Sequence, residues 1–238
     1  MRPVLPWVHA LGDLPLPHHA LQDPQGLLAA GGELSVPWLL HAYQQGTFPW
    51  FGEGDPVLWW SPDPRGVLWA NDLIISRSLR KTLRQSRYRV YLDTCFAEVI
   101  QACAEPRTYA RETWIGPAMQ EAYMRLHRAG FAHSLGVFNE QGELIGGIYG
   151  VCLGRMFFGE SMFSRTPNAS KIALVFLVRW LQKAGCPLID TQLPNPHLQT
   201  LGGSLLPRHE FLQYIHAAMQ QSLDLTWTGE LRWAELDT

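Results

Sequence analysis

Cysteine is scarce in this sequence, and the few that occur are widely spaced. Only four are present among 238 residues, and no two of them form a CxxC pair. This spacing argues against a zinc knuckle or a disulfide scaffold and is typical of a reducing compartment. The nine histidines show no HExxH pattern and no ligand spacing with cysteine. No metal site is therefore expected.

Long apolar runs and a strong charge balance are also missing. Even the most apolar helical stretch is interrupted by Arg179, so no run reaches the length of a membrane span. The first residues contain prolines and no apolar signal core. We therefore expect a soluble cytoplasmic protein with no membrane partner. The net charge of −2 gives no overall attraction to nucleic acid, so any such binding requires a local basic patch.

Residues 1–62 are rich in proline and tryptophan and contain few periodic runs. A short helix is predicted from Ser35 to Gln45, with Ser35 as its cap and Gly46 at its end. The remainder predicts a compact, irregular N-terminal domain whose aromatic side chains pack mainly on a larger domain. The boundary is expected near Pro62–Pro64, which gives domains of residues 1–62 and 63–238.

The stretch from Leu144 to Asn195 dominates the rest of the chain. Residues 144–151 and 156–163 predict a hairpin that turns at residues 153–155. Asn168 is a candidate cap for a helix that is apolar on almost every face and therefore buried, and Gly185 ends that helix. Residues 188–190 then predict a further strand.

Residues 131–195 thus give the order strand, strand, strand, helix, strand. This order favours an α+β fold with an acetyltransferase-like (GNAT-like) C-terminal domain. Enzymes of that fold that use acetyl-coenzyme A hold its pyrophosphate with a glycine-rich loop at the helix N-terminus. Residues 164–170 occupy that position here without a glycine and with Pro167. An acyl-CoA-dependent N-acyltransferase is therefore the alternative function, not the favoured one.

A second informative stretch runs from Leu73 to Leu92 and contains six basic residues but no acidic residue. It predicts an amphipathic helix with Ile75, Leu79 and Leu83 on the buried face. The opposite face carries Arg77, Arg80, Lys81, Arg84 and Arg87. A solvated basic face is the ordinary interpretation, but such faces usually include acidic partners. Contact with a phosphate backbone is the sharper interpretation, and a non-catalytic RNA-binding module would need only this helix.

Four polar residues are the candidates for chemistry: Glu160, Asp190, Gln192 and Asn195. Asp190 and Gln192 are two residues apart, so in an extended chain both side chains point to the same face. Two nearby carboxylates could bind a cationic group, or one could raise the pKa of the other. The structural alternative is that Asp190 and Asn195 cap loops while Glu160 pairs with Arg165.

Several long motifs resemble those of one bacterial family. They are FPWF at 48–51, LWWSPDPRGVL at 58–68, TWI at 113–115, GESMFSR at 159–165, NASK at 168–171 and LIDTQLPNPH at 188–197. Together they are similar to the leucyl/phenylalanyl-tRNA–protein transferases nearly from end to end. The resemblance implies transfer of Leu or Phe, and by extension Met, from aminoacyl-tRNA to proteins with N-terminal Arg or Lys. It implies a role in N-end rule degradation, a small N-terminal domain before an acetyltransferase-like domain, and no cofactor; we expect a monomer.

The same resemblance assigns roles to individual residues. Asp190 and Gln192 match the catalytic pair, and Glu160 matches an acidic residue of the same site. Matches to the apolar pocket for the aminoacyl side chain are Ile148, Phe157, Met162, Leu174 and Ile189. Trp50 and Trp114 match tryptophans near the terminal adenosine, and Asn195 is added as a substrate-binding candidate from the polar cluster. Arg77, Arg80, Lys81 and Arg84 match the basic helix that meets the tRNA.

The resemblance also suggests a mechanism and contains one departure. Aminoacyl-tRNA is an activated ester, so the enzyme needs to orient an amine and stabilise an oxyanion. We expect Gln192 to orient the amine, Asp190 to fix the Gln192 amide, and Glu160 to favour a cationic acceptor. Gly136 and Phe138 stand where the family pattern has Glu and Trp, which puts a role of their strand in acceptor binding in doubt.

Overall fold

The computed structural model describes residues 4–106, 113–223 and 225–237. The described residues form an α+β structure with a four-stranded sheet and an eight-stranded sheet. No helix within these ranges has the length and apolarity needed to cross a membrane. The α+β class expected from the sequence, with a small N-terminal part before a larger one, agrees with this architecture.

The N-terminal sixty residues contain regular structure that the sequence did not predict. Their sheet has the order β1-β2-β4-β3, built from Trp7–Val8, Leu27–Gly31, Phe48–Pro49 and Leu58–Trp60 in chain order. The expectation of an irregular domain was therefore wrong. Strands of two to five residues are too short to show an alternating pattern, and the prolines concealed them further. Helix α1, Val36–Gln44, agrees with the predicted helix, but the side chain of Ser35 at its N-cap position accepts no capping hydrogen bond.

The larger sheet has the order β11-β5-β10-β9-β8-β7-β6-β12. All its neighbours are antiparallel except β9 and β10, which helix α5 connects as a parallel pair. Its strands are β5 Arg65–Trp69, β6 Tyr88–Leu92, β7 Ala132–Asn139, β8 Leu144–Leu153, β9 Met156–Ser164, β10 Leu188–Gln192, β11 Ser204–Leu206 and β12 Gly229–Leu231. Its helices are α2 Arg77–Gln85, α3 Phe96–Ala104, α4 Pro117–Arg128, α5 Ala169–Lys183, α6 Pro196–Gln199, α7 Arg208–Met219 and α8 Trp233–Leu236.

The predicted central unit is present. β8 and β9 form a hairpin through Gly154, whose positive φ suits the tight turn, and α5 packs across β7, β8 and β9. The prediction that the Asn168 side chain caps α5 is wrong. Asn168 is at the cap position but its side chain accepts no capping hydrogen bond. The hydroxyl of Ser164 instead accepts from the Ser170 N–H at 3.2 Å.

Helix α2 is shorter than the sequence suggested. Ser76 caps it by accepting from the Leu79 N–H, and Ser86 ends it in a left-handed conformation. Arg87 therefore lies beyond the helix and not on its basic face. Near the end of the described chain, β12 covers residues 229–231 and α8 begins at Trp233.

Two hydrophobic cores lie on opposite faces of the large sheet. One contains α5 and the buried face of α2, and the other contains α3, α4 and much of the small sheet. The second core crosses the expected boundary at residues 62–63, because Trp59 and Tyr43 belong to the same cluster as Val67 and Phe158. The N-terminal sheet is thus fixed against the larger one, which positions the site described next.

Candidate active site

A cavity of about 950 Å³ opens where β9 and β10 separate. Their pairing stops at Phe158 and Asp190, and the residues that follow in both strands line the cavity. The N-terminal part contributes β3 and Trp50, while α5 contributes Leu174. The lining therefore draws on both parts of the chain.

Most of the predicted substrate-binding residues meet at this cavity. Those that line it are Trp50, Trp114, Ile148, Met162, Leu174, Ile189 and Asn195, together with Glu160 and Gln192. Phe157 lies apart from it, fully buried, with its ring stacked on Trp227 at 5.8 Å. Asn195 also caps α6, because its side-chain oxygen accepts from the His197 N–H at 2.9 Å.

The Gln192 amide contacts Glu160 and not the Asp190 carboxylate, contrary to the expectation that Asp190 fixes it. The pairing of β10 with β5 shifts between Asp190 and Gln192, and Gln192 has a φ of +65°. The sequence alone does not reveal this bulge. The Gln192 amide nitrogen donates to Glu160 Oε1 at 2.7 Å, and the Gln192 backbone N–H donates to Asp190 Oδ1 at 2.9 Å. Glu160, not Asp190, therefore holds the amide.

Asp190 is fully buried and forms a two-pronged ion pair with Arg65. Arg65 Nε donates to Oδ1 at 2.8 Å and Nη2 donates to Oδ2 at 2.6 Å. The guanidinium lies between the rings of Phe48 and Phe211, with its carbon 4.8 Å and 4.7 Å from their centroids. This geometry combines charge-assisted hydrogen bonds with cation–π contacts.

Sequence reasoning missed Arg65. The signal that could have found it is an arginine that opens an otherwise apolar strand, Arg65–Trp69, directly after a proline-rich turn. A buried cation requires a buried anion, and Asp190 was already a candidate. On these grounds Asp190 is expected to form a structural ion pair with Arg65.

Glu160 is surrounded by hydroxyl and amide groups. Its Oε1 lies 2.7 Å from the Tyr43 hydroxyl, and its Oε2 lies 2.7 Å from the Tyr123 hydroxyl. The two tyrosine hydroxyls are 2.6 Å apart, and both tyrosines are fully buried. Burial raises the pKa of Glu160 to about 7, although the hydrogen bonds from the tyrosines and Gln192 act in the opposite direction. The alternative pairing with Arg165 is wrong, since Arg165 binds Glu105 at 2.5 Å.

The basic face of α2 is exposed but not free of acidic partners. Arg80 and Arg84 lie 3.2 Å and 3.8 Å from the carboxylate of Asp237, which α8 brings to the helix. Arg77 and Lys81 are exposed beside them. An anion that binds here must share two of the arginines with Asp237.

Gly136 on β7, where the resemblance led us to expect Glu, is sterically confined. A Cβ at Gly136 would lie 2.8 Å from Cys95 Sγ and 3.0 Å from the Phe138 ring. The Phe138 ring in turn packs edge-on against Tyr91 at 5.7 Å. This site is therefore closed to a larger side chain, and neither residue lines the cavity.

A second cavity of about 370 Å³ lies elsewhere, with His133, Met219 and Trp227 among its lining residues. His133 stacks on Trp227 at 4.0 Å and bonds Asp93 Oδ2 through Nδ1 at 2.6 Å. None of the predicted site residues lines it.

Together, the fold and the larger cavity define a two-part α+β protein in which an apolar pocket meets a hydrogen-bonded carboxylate–carboxamide network. Two family descriptions match its two parts. Residues 67–216 match the leucyl/phenylalanyl-tRNA protein transferase family, and residues 32–63 match the N-terminal domain of that family. The chain belongs to the leucyl/phenylalanyl-tRNA–protein transferase family.

Curated relatives match over most of their length. The leucyl/phenylalanyl-tRNA–protein transferase of Pseudomonas syringae pv. syringae is 54% identical over 217 residues, which cover 91% of this chain and 94% of that protein. The protein of the same name from Pseudomonas syringae pv. tomato is 57% identical over 203 residues, covering 85% and 88%. That of Aromatoleum aromaticum is 55% identical over 208 residues, covering 87% of each.

Solved structures give a weaker likeness. The structure of L-PGS from Bacillus licheniformis matches with a TM-score of 0.39 and 10% identity, over 68% of this chain and 52% of that one. A conserved protein of unknown function from Bacteroides thetaiotaomicron matches with a TM-score of 0.35, over 71% and 58%. Neither likeness is close enough to support an argument about the fold or the function.

Proposed function

We propose that this chain transfers Leu or Phe, and also Met, from aminoacyl-tRNA to the α-amino group of proteins with N-terminal Arg or Lys. One observation carries the proposal: in a member of this family, the apolar cavity ends at the Gln192–Glu160 network. The product would carry a destabilising N-terminal residue and enter N-end rule degradation. We further propose that the chain acts in the cytoplasm, as a monomer and without a cofactor.

The aminoacyl side chain would occupy the apolar part of the cavity. Ile148, Met162, Leu174 and Ile189 provide an aliphatic lining. The volume of about 950 Å³ accommodates a phenyl ring with room for the acyl group. Selection by shape alone is worth about 1–3 kcal/mol per methylene, so Leu, Phe and Met enter while β-branched Ile and Val fit poorly.

The tRNA would bind through stacking and charge. Trp50 and Trp114 line the cavity and present aromatic faces on which the terminal adenine can stack. The exposed basic residues of α2, namely Arg77, Arg80, Lys81 and Arg84, would contact backbone phosphates. Such contacts are insensitive to base sequence and strongly dependent on salt.

In the proposed reaction the free α-amine of the acceptor attacks the ester carbonyl. A C–N bond forms, the bond from the carbonyl carbon to the ribose oxygen breaks, and the amine proton ends on that oxygen. Because the amide nitrogen of Gln192 donates to Glu160, the side-chain oxygen of Gln192 (Oε1) is the atom available to accept a hydrogen bond from the amine and orient it. Asp190 acts through the Gln192 backbone, and we assign it as a positioning residue.

The finer fold assignment is also a proposal. The order β7, β8, β9, α5, β10 and the separation of a parallel strand pair support an acetyltransferase-like C-terminal domain, residues 63–238, after a small N-terminal domain, residues 1–62. Residues 164–170 contain no glycine, which disfavours a pyrophosphate-binding loop and hence the alternative of an acyl-CoA-dependent N-acyltransferase.

Transfer of labelled Leu from charged tRNA to peptides tests the function. We expect label on peptides that begin with Arg or Lys and none on a peptide that begins with Ala. Substitution of Gln192→Leu should abolish transfer while tRNA binding persists. Unchanged transfer by this variant, or saturable binding of coenzyme A by the native protein, would contradict the proposal.

A further inference from the structure

The three oxygen-to-oxygen contacts around Glu160 need more protons than the tyrosines carry. Tyr43 lies 2.7 Å from Glu160 Oε1, Tyr123 lies 2.7 Å from Oε2, and the two hydroxyls lie 2.6 Å from each other. Each of these distances is that of an O–H···O hydrogen bond, and each such bond needs its own proton. Two tyrosine hydroxyls supply only two.

An ionised Glu160 leaves one contact without a hydrogen. If both tyrosines donate to the carboxylate, their own oxygens face each other at 2.6 Å with lone pairs only. If one tyrosine donates to the other, one carboxylate contact at 2.7 Å has no proton. Both cases are repulsive, and neither tyrosine reaches bulk water because both are fully buried.

A neutral Glu160 satisfies all three contacts. Its Oε2–H then donates to the Tyr123 hydroxyl, Tyr123 donates to Tyr43, and Tyr43 donates to Glu160 Oε1. The Gln192 amide nitrogen adds a second donor to Oε1 at 2.7 Å. Each tyrosine oxygen then donates one hydrogen bond and accepts one, Glu160 Oε2 donates, Oε1 accepts, and the bonds run in one direction around the ring.

We propose that Glu160 carries a proton in the resting protein at pH 6–7, where an ordinary glutamate is ionised, and closes a three-membered hydrogen-bond ring with Tyr43 and Tyr123. The wall of the cavity beside Gln192 is therefore uncharged. The protonation of Glu160 is inferred from the geometry alone. Only its consequence for the acceptor amine rests on the proposed function.

The groups that face Glu160 agree with a neutral acid. Burial raises its pKa to about 7, and the negative charge of Asp190 acts in the same direction. The positive charge of Arg65 is engaged with Asp190. The neighbouring groups are Tyr43 from α1, Tyr123 from α4, Gln192 and Asp190 from β10, and Tyr149 from β8, whose ring lies 5.4 Å from that of Tyr123. Within the described ranges, no lysine or arginine side chain forms an ion pair with Glu160.

A neutral Glu160 changes its role in the proposed reaction. An ionised carboxylate beside Gln192 would stabilise the acceptor α-amino group as an ammonium ion, which cannot attack an ester. The α-amino pKa is about 7.7–8.0, so an uncharged wall leaves a useful fraction as free amine. Glu160 is then the anchor of the Gln192 carboxamide, and not the counter-ion of a cationic acceptor.

The protonation is tested directly by carbon-13 NMR of protein labelled at the glutamate δ-carbon. The Glu160 resonance is identified by its absence from the Glu160→Gln spectrum. We expect a carboxylic-acid shift at pH 6 that moves to the carboxylate position as the pH rises through about 7. A carboxylate shift from pH 5 to pH 8 would overturn the inference, whether or not the protein transfers amino acids.

A pair of variants tests the consequence. Glu160→Gln mimics the neutral acid, because its amide can donate to Tyr123 and accept from Tyr43, whereas Glu160→Leu breaks the ring at similar volume. We expect kcat at pH 7 to fall less than tenfold for the Gln variant and more than a hundredfold for the Leu variant. Between pH 7 and 8.5 the Gln variant should gain rate relative to the native protein. Equal losses in both variants, with thermal unfolding unchanged, would mean that the anion is needed and would contradict the inference.

Discussion

Asp190 and Glu160 are two carboxyl groups on neighbouring strands, and their surroundings differ sharply. Asp190 on β10 is fully buried and binds the guanidinium of Arg65 through both oxygens. Glu160 on β9 lines the cavity and is surrounded by two hydroxyls and an amide. Both contact Gln192, one through the backbone and the other through the side chain.

The comparison shows how the same chemical group is given two roles. A carboxylate that stays charged in a buried place needs a cation with ideal geometry, which Arg65 provides and Phe48 and Phe211 enclose. A carboxyl group with only neutral donors around it keeps its proton more readily. Asp190 fixes the backbone bulge at Gln192, and Glu160 fixes the carboxamide of the Gln192 side chain.

The largest expected effect follows from removing the cation. Arg65→Met leaves Asp190 buried without a partner, which should lower the free energy of unfolding by about 3–5 kcal/mol. Urea denaturation measures this change. Arg125→Met is the matched control, because Arg125 is exposed and lies 3.7 Å from Glu121, and it should cost less than about 1 kcal/mol. A loss below about 1 kcal/mol for Arg65→Met would mean that the ion pair does not maintain this region.

Filling the cavity should abolish transfer without affecting tRNA binding. Met162→Trp places a large ring where the aminoacyl side chain is proposed to sit, so transfer should fall more than a hundredfold, or about 3 kcal/mol in transition-state stabilisation. Transfer assays and filter binding measure the two quantities. Leu205→Trp on the exposed edge strand β11 is the control and should change neither. Parallel loss of transfer and tRNA affinity in the Met162 variant would count against the pocket.

The proton on Glu160 should appear in the pH dependence of stability. Its folded pKa of about 7 exceeds the ordinary value near 4.5, so the folded state binds more protons between these pH values. The free energy of unfolding should therefore fall as the pH rises from about 4.5 to 7, by at most about 3 kcal/mol. Glu160→Gln should remove this slope, as measured by urea titrations at each pH. Parallel curves for the two proteins would contradict the assignment.

The smallest effect concerns arginines that, unlike Arg65, remain in solvent. Arg84→Ala should weaken tRNA binding a few-fold at moderate salt and reduce the slope of log K against log salt by about 1. Filter binding over a range of salt concentrations gives both values. Arg128→Ala removes an exposed arginine of α4 that lies 3.5 Å from Glu121, and it should leave the slope unchanged. An unchanged slope for Arg84→Ala would leave α2 as an ordinary solvated face.

The strong periodic elements of the fold could be predicted from the sequence. The β8–β9 hairpin and α5 carry long, continuous apolar patterns that only a buried sheet and helix satisfy. The four short strands before residue 61 carry no such pattern. Their pairing depends on contacts between residues far apart in the chain, and propensity does not encode those contacts.

The site was predicted as a set of residues but not as a network. The motifs identified Glu160, Asp190 and Gln192, yet the partners Arg65, Tyr43 and Tyr123 come from segments 37 to 125 residues away. The backbone bulge between Asp190 and Gln192 was not predicted either. Long-range hydrogen bonds therefore decided which carboxyl group holds the amide.

The central claim is that the aminoacyl side chain binds in the larger cavity. NMR of protein labelled at the methionine methyl carbon tests this claim most directly, because the two cavities are lined by different methionines. Met162 lines the larger cavity and Met219 lines the smaller one, while Met119 is a buried reference on α4. A stable amide-linked phenylalanyl-adenosine should shift the Met162 resonance through the ring current of its phenyl group and leave Met219 and Met119 unchanged. A shift of Met219 with Met162 unmoved, at saturating ligand, would contradict the account.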